Sequence, residues 1–235
     1  MKTTWTLAKR ELNAAFDSPT AYVVLIAFLL IVGWFFSNTL FLSNVASLRT
    51  VFDLAPLIFM FFVPAVTMAT FAEERRAGTL ELLLTMPVRD RHVILGKLMA
   101  VTMLLWSAIG LTVIYALTLA VLGDPDSGAV AGGYFGLMLL ALSYGAIGIF
   151  ASSLTRNQIV AFILGFAIIF TLFMMDKVTE FLPGSLAGIL EYLSIDYHYR
   201  NLLRGVIDSR DVLYYLSVTL FAGLLTAYNL ARRPE

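Results

Sequence analysis

Six long apolar runs constrain this chain more than any other feature of its sequence: Thr20 to Phe41, Leu54 to Phe71, Leu98 to Leu122, Tyr134 to Leu154, Ile159 to Met175 and Val212 to Leu230. Each reaches the roughly 17–25 residues that an α-helix needs to cross a hydrocarbon core of about 30 Å. Lipid offers no water to bond backbone N–H and C=O groups, so such runs span it only as helices or closed barrels. The alternating pattern of a barrel is absent. The expected fold class is an all-α integral membrane protein with six transmembrane helices. Composition agrees, since only 14% of the 235 residues are charged and 60% are hydrophobic, with a mean hydropathy of +0.85; a soluble domain carries about 25% charged residues.

Met1 to Asp17 lacks the immediate apolar run of a cleaved signal peptide, which predicts that this stretch is retained. Within it, Trp5, Leu7, Ala8, Leu12, Ala15 and Phe16 recur at three- and four-residue steps, with Lys9, Arg10, Glu11 and Asn13 mainly between them. This pattern predicts an N-terminal amphipathic interfacial helix over 1–19, acting either as an anchor or as a contact for a partner subunit.

Basic residues cluster on one side of the six spans. Lys2, Lys9 and Arg10 lie in the N-terminal tail, Arg75, Arg76, Arg89, Arg91 and Lys97 between the second and third spans, Arg156 between the fourth and fifth, and Arg232 and Arg233 in the C-terminal tail. The positive-inside rule then places both termini in the cytoplasm. The opposite side holds Arg49 and a loop, Gly123 to Gly133, whose charges are Asp124 and Asp126. The connection 176–211 mixes Lys177, Arg200, Arg204 and Arg210 with Asp176, Glu180, Glu191, Asp196, Asp208 and Asp211, and is assigned to the extracytoplasmic side because long mixed-charge connections weigh less in the rule. Leu186, Ile189, Leu190 and Leu193 give it helical periodicity, predicting short helices that cap the outer mouth or dip into the bilayer.

Several chemistries are excluded. The 16 basic residues balance 16 acidic ones, giving no case for a nucleic-acid partner, and the absence of cysteine removes thiolate catalysis and disulfides. No G-x-x-x-x-G-K-[ST] phosphate loop occurs, so any ATP must be bound by another polypeptide. H-E-x-x-H and G-x-S-x-G are missing. His92 reads as a solvated side chain and His198 as a packing or interfacial one. The spans, as drawn, hold no row of ionisable residues of the kind that proton- or ion-coupled carriers use. In the fourth span, Ala141 to Gly145 and Gly148 to Ser152 pair small residues at four-residue spacing, which predicts close packing of helix backbones.

The most informative stretch is 72–97, between the second and third spans. The second helix is expected to continue past Phe71 into a solvated end, Glu73, Glu74, Arg75 and Arg76, and to stop at Gly78. Thr79 is placed to cap a new short helix with Glu81 in its first turn. Leu80, Leu83 and Leu84 share one face of that helix, which Pro87 ends. Such a helix lies either in the membrane interface or in the groove of a cytoplasmic partner.

The string Glu74, Gly78-Thr79-Leu80-Glu81, Leu83-Leu84, Pro87-Val88, Gly96-Lys97 resembles the signature of ABC-2 type transporter permeases, especially the gliding-motility-associated and nitrous-oxide-reductase-maturation permease subunits. The likeness extends to Ser152-Ser153-Leu154-Thr155-Arg156-Asn157-Gln158 and to Arg204-Gly205-Val206-Ile207-Asp208 with Arg210-Asp211, so it covers essentially the whole chain. The resemblance implies a single permease domain over 1–235 with a type V exporter-like fold in a bacterial inner membrane. It further implies a second permease, identical or different, and two copies of a separate ATPase that carries the ATP and Mg. An accessory extracytoplasmic subunit is a further implied partner. By position, the coupling helix of that family falls on Thr79 to Met86, with Glu73 to Arg76 leading into it. A secondary carrier or channel, for which Tyr22, Asn38, Thr112, Tyr115, Thr118 and Ser143 offer polar groups, and an ATPase-recruiting anchor without transport are the competing readings. The substrate is not legible in the sequence.

Overall fold

A computed structural model describes residues 2–42, 47–79, 89–123, 125–181 and 184–232. Eleven α-helices are described: α1 (Lys2–Asp17), α2 (Pro19–Ser37), α3 (Arg49–Thr67), α4 (Ala69–Arg76), α5 (Asp90–Leu111), α6 (Val113–Leu122), α7 (Ser127–Ser153), α8 (Gln158–Val178), α9 (Gly184–Leu193), α10 (Ile195–Leu203) and α11 (Ser209–Ala231). Six stretches are long and apolar enough to cross a membrane: Ala21–Phe41, Arg49–Arg76, Asp90–Leu122, Ser127–Ser153, Gln158–Val178 and Ser209–Ala231. The chain is a multi-pass, all-helical membrane protein with the six spans expected from its apolar runs.

Helix α1 is separate from the first span, and Pro19 opens α2, where its fixed φ suits a first helical position. Ala8 is fully buried while Trp5 is exposed, as an amphipathic helix requires. The helix packs along α5, and the contact is close because Gly96 has no side chain: a Cβ there would sit 2.9 Å from Leu7 Cβ and 3.3 Å from the Thr4 carbonyl oxygen.

Three boundaries differ from expectation. The third span begins at Asp90 rather than Leu98, so Lys97 lies inside α5. The loop expected over Gly123 to Gly133 is cut short because Asp126 caps α7, its carboxylate accepting from the N–H of Gly128 at 2.9 Å and of Ala129 at 3.3 Å. The connection drawn over 176–211 loses both ends to helices, with Asp176 and Lys177 in α8 and Asp211 in α11. What remains of it folds as α9 and α10, in line with the short helices expected there. Helix α10 packs onto α7, whereas Ile189 and Leu193 of α9 stay exposed.

Helix α7 is the spine of the bundle, in contact with α3, α4, α5, α8, α10 and α11. Of its most apolar stretch 78% is buried, against 22–44% for the other spans, which leave apolar faces such as Leu30, Ile114, Ile163 and Leu220 outward. Small residues make this possible. A Cβ at Gly133 would meet the Phe52 ring at 2.6 Å, one at Gly136 the Tyr199 ring at 3.1 Å, and those at Gly132 and Gly148 would collide with the Leu202 carbonyl and the Thr67 side chain. Around α7, Phe28 and Phe59 stack at 5.0 Å and Phe52 meets Tyr134 edge-on at 5.2 Å.

If this close approach sets the fold, Gly132→Ala and Gly148→Ala should each cost about 1–3 kcal/mol through overpacking. Gly110→Ala and Gly223→Ala, whose added methyl meets nothing within 4 Å, should be neutral or slightly stabilising. Thermal unfolding in detergent separates the two pairs, and equal midpoints for all four variants would contradict the spine.

Candidate functional site

The stretch singled out by sequence emerges from the end of the bundle that carries α1, and the second span is shaped to deliver it there. Pro64 cannot donate to the Met60 carbonyl, so the ladder of α3 is already one bond short. At Met68 the helix breaks. The hydroxyl of Ser152, from α7, sits in the gap: it donates to the Met68 carbonyl at 2.8 Å and accepts from the N–H of Phe71 at 3.0 Å and of Ala72 at 3.1 Å. One buried side chain thus completes the backbone bonding of the interrupted turn.

Helix α4 is then fixed on two further sides. Lys97 Nζ of α5, whose side chain is only 3% exposed, lies 2.7 Å from Glu74 Oε1 and 3.4 Å from Glu11 Oε2 of α1, and donates to the Thr70 carbonyl at 3.0 Å. The ammonium also sits 5.2 Å from the centre of the Phe71 ring. Glu73 bonds Gln158 at the start of α8. Asn229 of α11 donates to Ser153 Oγ at 3.1 Å, tying the last span to the same end. A charge this deeply buried is tolerated only when paired and hydrogen-bonded, and Lys97 has two hydrogen bonds, to Thr70 and Glu74, with Glu11 as a second counter-charge.

Past α4 the chain turns where expected. Ala77 N–H bonds the Glu73 carbonyl at 2.8 Å, and Gly78 takes φ +71°, a left-handed value that favours glycine. Thr79 Oγ1 points back, 3.4 Å from the Glu74 carbonyl. Leu80, Glu81, Leu83, Leu84 and Pro87 lie outside the described residues. The chain is described again from Arg89, and Asp90 stands in the first turn of α5. Glu74 and Lys97 therefore clamp together the two stems from which the segment 80–88 hangs. Of the residues named from sequence, Glu73, Glu74 and Arg75 come together on α4. Glu74 turns inward to Lys97 and is not free to meet a partner's basic residues, whereas Arg76, Arg89 and Arg91 are exposed.

The opposite end is capped by a second polar cluster. Asp196 of α10 lies 2.6 Å from both Lys177 Nζ and an Arg200 nitrogen, with Asp176 2.9 Å from Lys177 and accepting from Ser194 at 3.1 Å. Burial, together with the neighbouring carboxylates of Asp176 and Asp53, pushes Asp196 up to about 7 despite the two cations. Beside it, His198 is buried, as a packing role requires, with Nδ1 2.6 Å from Asp211 Oδ1 and Nε2 2.9 Å from the Tyr192 carbonyl; its ring stacks on Tyr214 at 3.9 Å. Tyr199 and Tyr215 donate to the carbonyls of Phe52 and Ile195 at 3.1 and 2.9 Å, fastening the cap to α3 and α11.

Lys97 and Asp211 were missed as buried groups because each lies one residue outside an apolar run. Thr118, on an exposed face, donates to the Ile114 carbonyl, and further in Tyr115 donates to that of Leu29 and Ser143 to those of Leu139 and Tyr215. Thr112 pairs with Tyr134. Among the described residues, no three His, Asp or Glu side chains are grouped to hold a metal ion.

Comparison with known proteins bears on this arrangement. The family described as ABC-2 family transporter protein matches residues 36–195, more than half of the chain. The probable multidrug ABC transporter permease YbhR of Escherichia coli, in strain K12 and in strain O157:H7, is 34% identical over 101 residues, which make up 43% of this chain and 27% of that protein.

Two outcomes check the geometry of the ends. Ser152→Ala leaves two N–H groups and a carbonyl without their partner, at a cost of about 1–3 kcal/mol, whereas Ser217→Ala, which loses one bond to the Tyr214 carbonyl within its own helix, should stay within about 0.5 kcal/mol; unfolding midpoints compare them. At the other end, the folded protein holds the Asp196 proton more tightly than the unfolded chain does, because its value is raised. The stabilisation is present at acid pH and is lost as pH rises through about 7. Asp196→Asn should therefore remove part of the fall in melting temperature between about pH 4 and 7, and an unchanged profile would show that Asp196 does not govern it.

Proposed function

The chain belongs to the ABC-2 transporter family, and from that premise we propose that it is the membrane-spanning permease subunit of a transporter driven by a separate ATPase, which binds the ATP and Mg and docks on the segment 80–88. The observation that carries the reading is the Lys97–Glu74 pair: it ties together α4 and α5, the two helices that flank that segment in the sequence. In this reading that end and both termini are cytoplasmic, the cap of α9 and α10 faces outward, and the membrane is a bacterial inner membrane. A second permease, identical or different, and an accessory extracytoplasmic subunit complete the assembly, as in the gliding-motility and nitrous-oxide-reductase-maturation systems it resembles. The match to a probable multidrug permease favours export of small molecules over a purely mechanical task. A secondary carrier fits less well, since the hydroxyls of Thr112, Tyr115 and Ser143 are engaged with backbone carbonyls rather than aligned as a relay, and Thr118 is on an exposed face.

In this reading the Leu83 and Leu84 face is buried in the ATPase, each side chain contributing about 1.5–3 kcal/mol when fully removed from water. The double variant Leu83→Asp/Leu84→Asp should lose its ATPase in a pull-down at equal membrane levels while the six spans remain inserted. Undiminished ATPase binding with normal transport would leave that face a membrane-surface anchor and refute the docking role.

A further inference from the structure

Between α1, α2, α3, α4 and α5, next to the Lys97 pair, lies a cavity of about 620 Å³, within the roughly 300–1,000 Å³ typical of small-molecule sites. Its walls along the spans are apolar, formed by residues such as Val24, Val66 and Leu104, and Ala14 and Ala69 are exposed at its rim. Its polar end holds Glu11, Glu73, Glu74 and Lys97, three carboxylates against one ammonium.

The hydrogen bonding gives this end a definite preference. Lys97 donates to Thr70 and Glu74 and is ion-paired to Glu11 at 3.4 Å, so the charge of the one cation is already met by two carboxylates and a carbonyl. Acceptors remain. Glu73, half-buried in the cavity wall, accepts from Gln158 through one oxygen and can take a charged N–H donor on the other, and Glu74 adds a second carboxylate at that wall.

We propose that this cavity binds an amphipathic organic monocation, with an ammonium group at Glu73 and Glu74 and a compact apolar body against Val24, Val66 and Leu104. A ligand seated there touches the Glu74–Lys97 pair directly, and so lies against the stems of the 80–88 segment. The site requires no ATPase for its occupancy. Its test therefore bears on the cavity alone, as the pull-down bears on docking alone.

Three cage compounds of one shape and different charge make the test: 1-adamantanamine, 1-adamantanol and 1-adamantanecarboxylate. Each is equilibrated by dialysis against the full chain in phosphatidylcholine nanodiscs, with empty nanodiscs giving the partition baseline. The amine should bind saturably and at least about tenfold more tightly than the carboxylate, the difference expected of charge-assisted hydrogen bonds. Glu73→Gln/Glu74→Gln should weaken the amine by about tenfold and change the alcohol little. Ala69→Phe, which fills the rim without touching a charge, should weaken both and serves as the second arm if the double variant does not fold. No saturable amine binding, equal binding of amine and carboxylate, or amine binding unaffected by the variant that folds would each overturn the proposal.

Discussion

One hydroxyl sets the geometry of the functional end. Ser152 occupies the place that a turn of helix would otherwise fill, and the second span can break at Met68 only because that oxygen serves two amides and one carbonyl at once. In lipid an unbonded backbone group costs several kcal/mol, so a break without such a partner would close up into a straight helix. The bonding of the first turn of α4 depends on it, and α4 carries Glu73 and Glu74 and leads into the left-handed turn at Gly78. Ser152 in turn reaches α4 only because Gly148, one turn earlier on α7, lets the Thr67 region approach.

Ionisable groups are confined to the two ends of the bundle, and each end solves the burial problem differently. At the α1 end a single ammonium is surrounded by acceptors from two other helices. At the cap, Asp176, Lys177, Asp196 and Arg200 share charge in a network, while His198 and Asp211 form a closed pair. Nε2 of His198 faces the Tyr192 carbonyl, which can only accept, so that nitrogen donates, and the Nδ1 side is closed by Asp211.

Much of the fold was legible in the sequence because lipid permits so few structures. Run length alone located all six spans, and Gly78 marked the end of α4 since a left-handed residue is the common way to stop a helix. The amphipathic spacing from Trp5 to Phe16 likewise announced α1. What escaped was tertiary. Lys97 counted as a loop cation because it precedes an apolar run by one residue, and only the approach of Glu74 and Glu11 from other helices makes its burial tolerable. Asp126 looked like a loop charge, although its value lies in bonding two amides of the helix that follows. Ser152 belonged to a visible stripe of small residues, but nothing local distinguishes a serine that merely packs from one that repairs a neighbour's backbone. The apolar spacing of Leu80, Leu83 and Leu84 was readable only as periodicity, and these residues lie outside the described ones.

The glycine-rich face of α7 also partitions stiffness within the protein. Where helices meet through Gly132, Gly133, Gly136 and Gly148, the contact is made largely against backbone or rigid rings, and there is no long side chain whose rotamer can yield. Relative sliding at such a seam requires displacement of a whole helix. The elements seated on it, α3, α10 and α11, move with α7 as one block. Helices α1, α2 and α6 stand off this seam, and α1 is tied instead to α5 through a second glycine contact at Gly96.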